Sequence, residues 1–438
     1  MKRVVFLIIL LGCFSYLPSF AKQYYMALNG NDANQGTIDA PFATLRQAQK
    51  VMNAGDTLYI REGVYKVSTQ QVMRDDGHYL RVYNLTKSGN KKQRICYFGY
   101  PGERPVFDFS EVKHPRRRVS AFHISGEYLH LRNFEIVGVQ VFMKGHTQSE
   151  CITIRGGNNN IIENIAMHDG MAIGCYLING SDNLILNCDA YCNYDNYSEG
   201  EKGGNVDGFG AHMKDMSHTG NVFRGCRAWW NSDDGFDLIN CRAAVVIEDC
   251  WSFYNGYQPN TLQKAGDGTG FKAGGYGMKR EVWGLDVVPV HTIKKCIAYY
   301  NRNKGFYANH HLGGINWLNN SAYLNPSNYC MLNRVSSEIC KDTVGYGHVL
   351  HNNVSFNPRS IGKHIIDIDW SRCESVNNSF NLGTLPPVAD DFLSIDPLWL
   401  VSSRNADGSL PETPFLKARR ESRIGKSGMG YAIEEACY

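Results

Sequence analysis

Cys226-Arg-Ala-Trp-Trp-Asn231 is followed by Cys250-Trp-Ser-Phe-Tyr-Asn255, with their cysteines 24 positions apart. The pattern is Cys or Asn, any residue, Ala or Ser, an aromatic, then Asn after one residue or none. It returns at Cys188-Asp-Ala-Tyr-Cys-Asn193, Cys296-Ile-Ala-Tyr-Tyr-Asn301 and Asn320-Ser-Ala-Tyr-Leu-Asn325. Shorter copies are Asn353-Val-Ser-Phe-Asn357 and Asn377-Asn-Ser-Phe-Asn381, and Asn164-Ile-Ala-Met-His168 reads as a degenerate first copy. The starts at 164, 188, 226, 250, 296, 320, 353 and 377 are separated by 24, 38, 24, 46, 24, 33 and 24 residues. A unit of 24 therefore recurs, lengthened by 14, 22 and 9 residues in three places.

Short apolar stretches of strand type precede the copies, among them Ile161-Ile162, Leu184-Ile185-Leu186 and Val245-Val246-Ile247. Few-residue strands punctuated by Gly, Asn and Asp, with no helical pattern between them, indicate a coil of parallel strands. One turn of about two dozen residues fits an all-β parallel β-helix, a solenoid whose equivalent positions stack about 4.8 Å apart. The Cys/Asn, Ala/Ser and aromatic positions then become interior ladders. The cysteines read as small buried core residues, because no CxxC pair or zinc spacing occurs.

Pro41–Met52 has helical apolar spacing at Phe42, Leu45, Ala48 and Met52, with Thr44 or Asp39 as cap candidates. A helix there would cover the open end of the coil, whose first turn otherwise exposes strand edges. The repeat is lost after about residue 384. No linker interrupts the chain, so the organisation read is a single domain. It comprises a leader (1–21), an N-terminal cap and first turns (22–110), a β-helix carrying the groove (111–383) and a tail packed on it (384–438).

The leader has a Lys2-Arg3 positive end, an apolar run from Val4 to Leu11 and a Ser19-Phe20-Ala21 cleavage site, which predicts export. Leu10-Leu11-Gly12-Cys13 loosely resembles a lipoprotein signal, but Phe14–Phe20 stays apolar where a polar tether is usual. No stretch reaches membrane-spanning length. The formal charge is +3, and the one dense basic run is Arg116-Arg117-Arg118, which excludes a nucleic-acid surface. A hydrophobic fraction of 43% against 20% charged residues excludes wholesale disorder and suits a folded monomer.

A second frame lies downstream of the repeat: Asp207-Gly208-Phe209-Gly210, Asp234-Gly235-Phe236-Asp237, Thr269-Gly270-Phe271-Lys272 and Lys304-Gly305-Phe306-Tyr307. Stacked, these place Asp207 beside Asp234, with Asp233 and Asp237 on the same short segment and Lys272 one turn above Asp237. Four converging carboxylates repel unless a cation sits among them, and an all-oxygen set suits a hard ion such as Ca2+. Any single Asp-Gly pair is more often a turn, and Asp237 with Lys272 could be a plain salt bridge. The insertions Tyr194–Gly204 and Gly256–Gly266 flank this cluster, and long loops on a rigid scaffold often shape a groove.

Asn205-Val-Asp-Gly-Phe-Gly210, Asn231-Ser-Asp-Asp-Gly-Phe-Asp237 and Gly268-Thr-Gly-Phe-Lys-Ala-Gly-Gly275 resemble the motifs of polysaccharide lyase family 9, which includes pectate lyases and rhamnogalacturonan I lyases. The N-terminal Gly55-Asp-Thr-Leu-Tyr-Ile-Arg-Glu-Gly-Val-Tyr65 is also similar to the start of such proteins. The resemblance implies a right-handed β-helix, Asp207, Asp233, Asp234 and Asp237 as calcium ligands, and Lys272 as the base. It implies an acidic plant cell-wall polymer, pectin, as partner: homogalacturonan or the rhamnogalacturonan I backbone, cleaved by β-elimination.

The chemistry needs these residue types. The galacturonate C5 proton is weakly acidic because the adjacent carboxylate is already anionic, so a cation must neutralise it and a base must take the proton. Lys272 acts only when neutral, so an alkaline pH optimum is expected, with its pKa lowered by burial and the dication. Lys304, Arg302, Lys264 and Arg334 are the candidate substrate-binding cations, though for each a solvated surface charge is the commoner role. The alternatives are a metal-free polygalacturonase-type hydrolase with paired carboxylates, and a noncatalytic carbohydrate-binding β-helix. The Gly-His-Gly and Arg-Ile-Lys motifs of the former are absent.

Overall fold

Strands of a few residues wind into three stacked sheets of twelve, ten and eleven strands in the computed structural model, which describes residues 21–275, 287–336, 339 and 341–433. The leader, Cys13 included, lies outside the described residues apart from Ala21. Neighbours in each sheet come from successive turns and pair in parallel, except for an antiparallel ribbon at Arg74–Asp75 on the edge of the third sheet. This is the all-β parallel β-helix that the repeat spacing predicts. Among the described residues no helix is long and apolar enough to cross a membrane.

The corners of the coil explain the repeat. A residue in the left-handed region stands just before the Cys/Asn position of successive turns: Asn187, Gly225, Asp249, Lys295, Asn319 and Asn352. Asn, Asp and Gly tolerate that conformation best, which is why they punctuate the strands. Past each aromatic, the second Asn turns inward and builds a ladder. Asn193 Nδ2 donates to Asn231 Oδ1 at 3.0 Å, Asn231 to Asn255 at 3.1 Å, Asn255 to Asn301 at 3.0 Å and Asn301 to Asn325 at 3.1 Å. Each Nδ2 also caps a main-chain carbonyl one turn back, as Asn255 does for Ala228. Buried corner amides and carbonyls are thus satisfied without water.

Two expectations are corrected. The Cys188, Cys226, Cys250 and Cys296 thiols and the Ala/Ser positions are interior, as expected, but the aromatic position points out of the coil. Side chains alternate faces along a strand, so a residue next to an inward Ala must face outward. Tyr191 stacks on Trp229 at 4.3 Å and Trp229 on Phe253 at 5.5 Å outside the coil. The chain after residue 384 covers the later members, with Phe415 against Tyr299 at 5.2 Å and Phe392 against Phe356 at 5.2 Å, forming a second apolar core.

The first and last copies also slip by one residue. Ala166 pairs with Asp189 and Met167 with Ala190, and Asn353 continues to Asn378 rather than Asn377. Asn164 and Asn377 are left-handed corner residues whose side chains bond neighbouring corner asparagines.

The N-terminal helix α1 (Leu45–Val51) is shorter than the predicted span and is capped by the Thr44 side chain, which accepts from Gln47 N at 3.2 Å. Its buried Leu45 and Ala48 close the end of the core, and Lys87 Nζ satisfies the carbonyls of Lys50 and Met52 at its C-terminus.

Candidate active site

The Gly-Phe frame forms the middle of the third sheet. Phe209, Phe236, Phe271 and Phe306 pair turn on turn and stack inward with ring centroids 5.0, 4.9 and 5.0 Å apart. The next position faces outward and carries Gly210, Asp237, Lys272 and Tyr307 in that order. Glycine precedes the ring for lack of room: a Cβ at Gly235 would lie 2.1 Å from Ser252 Oγ.

One residue further back, each carboxylate catches the next turn. Asp234 N donates to Asp207 Oδ1 at 3.1 Å, and Thr269 N to Asp234 Oδ1 at 2.6 Å. Oxygens of Asp207, Asp234 and Asp237 come within 4.8 Å of one another, and all three residues are buried. Lys272 Nζ donates to Asp234 Oδ2 at 3.0 Å and Asp237 Oδ2 at 3.2 Å.

Asp233 stands beside this triad with a different set of bonds. Its Oδ2 accepts from Asn205 N at 2.7 Å and its Oδ1 from Asp267 N at 2.6 Å. Those amides end the two insertions, so Asp233 ties both long loops to the acidic cluster. The Ser232 hydroxyl adds a bond to Gly203 O at 2.6 Å.

The electrostatics are those of an undercompensated anionic site. Burial, reinforced by Asp237, Asp233 and Asp234, pushes the Asp207 carboxyl well above the usual carboxylate range. Burial pushes Asp234 up to about 8 against the pull of Lys272, and burial also raises Asp233. The expected lowering of the Lys272 pKa is for a site that holds a dication, and with the carboxylates alone the direction is the reverse. Burial disfavours its charge, yet Asp234, Asp237, Asp233 and Asp207 together outweigh burial and hold the ammonium protonated well above its ordinary pKa. The donors are all carboxylate oxygens with one ammonium among them, which fits a hard dication.

The expected substrate cations divide. Lys304 lies one turn past Thr269, 4.6 Å over the Tyr307 ring, and Lys264 is exposed on the second insertion. Arg302 is committed to the carbonyls of Gly266 and Asp267, and Arg334 to Asp342 at 3.2 Å. Two neighbours of the cluster escaped the sequence reading. Tyr176, one turn before Gly210 in the outward column, bonds His212 Nδ1 through its hydroxyl at 2.8 Å, and His212 Nε2 lies 4.0 Å from Asp237. Extending the outward column one turn back would have found Tyr176.

Residues 24–353 match the family model described as Pel9A-like, right handed beta helix region. The chain belongs to that family. It is 34% identical to "Pectate lyase L" of Dickeya dadantii (strain 3937) over 409 residues, covering 92% of this chain and 85% of that protein. Among solved structures it is similar to one titled "Rhamnogalacturonan lyase", with 48% identity, a TM-score of 0.89, and 94% of this chain and 100% of that chain covered. It is also similar to pectate lyase Pel9A, at 31% identity and a TM-score of 0.72, with 92% and 91% covered. The coil is right-handed, and the enzyme is a polysaccharide lyase.

Proposed function

We propose that this lyase cleaves the galacturonate-containing backbone of a pectic polymer by β-elimination, with Lys272 as the base. Rhamnogalacturonan stands ahead of pectate as substrate. The support for that order is 48% identity along the whole of a rhamnogalacturonan lyase, against 31% for pectate lyase Pel9A. The observation carrying the reading is Lys272 Nζ at 3.0 and 3.2 Å from two members of a buried carboxylate triad.

Asp207, Asp234 and Asp237 would hold Ca2+. Asp233 completes the set, since each of its oxygens accepts one main-chain N–H and keeps a second lone pair. Calcium bound there supplies positive charge for the substrate carboxylate, which acidifies the neighbouring C5–H. Lys272, neutral, takes that proton, and the C4-linked oxygen departs to leave an unsaturated uronide. Burial of the triad keeps these dipoles and charges fixed in a site of low dielectric. Lys272 takes the proton only when neutral, and its neutral fraction grows as pH rises, so activity climbs on the alkaline side.

The test is absorbance of the unsaturated product from rhamnogalacturonan I and from polygalacturonate, with calcium and with chelator. Calcium-dependent absorbance from the first polymer is expected. New reducing ends without absorbance would show hydrolysis and overturn the reading.

A further inference from the structure

The third sheet carries a second charged site, several turns before the acidic cluster. A cavity of about 420 Å³ is lined by Arg81, Arg116, Arg118 and Arg155, together with His78 and Tyr79. Four guanidinium groups face it, and Asp76, bonded to Arg81 at 2.6 Å, is the acid lining it. Arg118 is braced by Thr147 Oγ1 at 3.1 Å and the Tyr79 hydroxyl at 3.2 Å. The same hydroxyl donates to the buried Glu150 at 2.8 Å, whose carboxyl burial pushes up to about 7, blunting its charge against the arginines.

Arg81 Nε is buried without a hydrogen-bond partner among the described residues, and Arg116 and Arg155 make no ion pair among them. Unspent guanidinium donors around one concavity are the arrangement that planar carboxylates fit.

Position supplies the second argument. The strand ending at Arg155 lies three turns from Asp237 in the third sheet, the strand starting at Arg118 four turns, and that of Arg81 five. At about 4.8 Å per turn the cavity lies roughly 14–24 Å from the triad, on the same sheet.

We propose that this arginine cavity is a distal subsite that binds a carboxylate of the same uronate chain whose cleavage point sits at Lys272. The proposal rests on the pectic reading for its ligand. A polymer held at both places is aligned along the coil, and its remote binding energy fixes the register at the base. Neither Arg116 nor Arg155 touches the acidic triad, so changing them leaves the cleavage site intact.

The experiment is titration calorimetry on the Lys272→Ala protein, which binds without consuming its ligand, with and without Arg116→Gln plus Arg155→Gln. The probes are a rhamnogalacturonan octasaccharide, its carboxyl-reduced form, and a trisaccharide too short to reach the cavity. Losing charged hydrogen bonds at two guanidinium groups weakens the octasaccharide by about tenfold or more. The trisaccharide and the reduced octasaccharide bind both proteins alike. Equal weakening of octasaccharide and trisaccharide, an unchanged octasaccharide, or an octasaccharide that does not bind before the arginines are altered each overturns the proposal. Product absorbance from the otherwise unchanged enzyme reports the lyase reading separately. In that enzyme the double arginine substitution lowers kcat/KM on the polymer and leaves kcat/KM on a substrate too short to reach the cavity unchanged.

Discussion

Phe271 and Lys272 are adjacent in sequence and live on opposite faces of one sheet. On the inward face the same ring recurs at Phe209, Phe236, Phe271 and Phe306, while on the outward face Gly210, Asp237, Lys272 and Tyr307 change with every turn. Over these four turns the coil takes the same filler at each level, because neighbouring turns enclose similar space, whereas one turn earlier the column holds Cys175. Nothing in the packing of the outward face demands repetition there. A departure from the repeat is thus where chemistry can be placed without disturbing the stack. The second sheet qualifies the rule: its outward aromatics do repeat, and the chain after residue 384 covers the later ones.

Lys272→Ala gives the largest expected effect, a loss of about 10²–10⁴ in kcat, the usual contribution of a positioned base. Steady-state product absorbance checks it. Phe271→Ala, one residue away, should cost about 3–5 kcal/mol of unfolding free energy and keep kcat near the parent value where the protein remains folded. Denaturant unfolding followed by circular dichroism reads the first part. A Phe271→Ala protein that is folded yet as inactive as Lys272→Ala would break the division between faces.

The asparagine ladder tests the inward side with a polar residue. Asn255 Oδ1 accepts from Asn231 N at 3.2 Å and Nδ2 at 3.1 Å, and Asn255 Nδ2 donates to Ala228 O at 3.0 Å. Asn255→Ala leaves these buried groups unpaired, an expected loss of about 3 kcal/mol with unchanged kcat. An exposed asparagine outside the left-handed region, such as Asn29, changed to Ala should fall within about ±0.5 kcal/mol.

The fold was legible because the repeat combines a length with a residue type, and the Gly-Phe frame found the cluster because two unlike constraints fall together. Gly235 has no room for a Cβ and Phe236 must fill the core, so four copies align without ambiguity. The corner asparagines were harder. Asn164 and Asn377, which adopt positive φ, look in sequence like the ladder residues beside them, and only hydrogen bonding separates the two. Strand alternation against Ala190 or Ala228 is enough to place the aromatic position on the outward face, so an interior aromatic ladder is not what the repeat itself implies. Arg81, Arg118 and Arg155 precede or flank the first recognisable copy, so no repeat brings them into register; the Arg116-Arg117-Arg118 run was visible, but its partners were not. The raised Lys272 pKa belongs to the carboxylates alone, whereas the expected lowering is for a site in which a dication offsets their charge.

A smaller loss than that of Asn255→Ala concerns the tail over the second sheet. Asp189 is buried between Arg227, with Nη2 at 2.8 Å, and Arg404, with Nη2 at 2.6 Å, while Arg227 Nη1 also bonds Ser402 O at 2.8 Å. Burial would raise this carboxyl, but the two guanidinium groups outweigh it and hold the pKa down at about 2. In the unfolded chain an aspartate titrates near 3.9. The stabilisation is therefore complete above about pH 4 and lost as pH falls toward the folded value, a contribution of about 2 kcal/mol. Asp189→Asn carries no titrating group at this position, so it should be weaker at neutral pH and lose less on acidification. Limited proteolysis of the chain beyond residue 384 between pH 5 and pH 2 measures the difference between the two proteins. Parallel curves would mean that the aromatic contacts of Phe392 and Phe415 hold the tail by themselves. The repeated outward residues would then suffice without the charged clamp beside them.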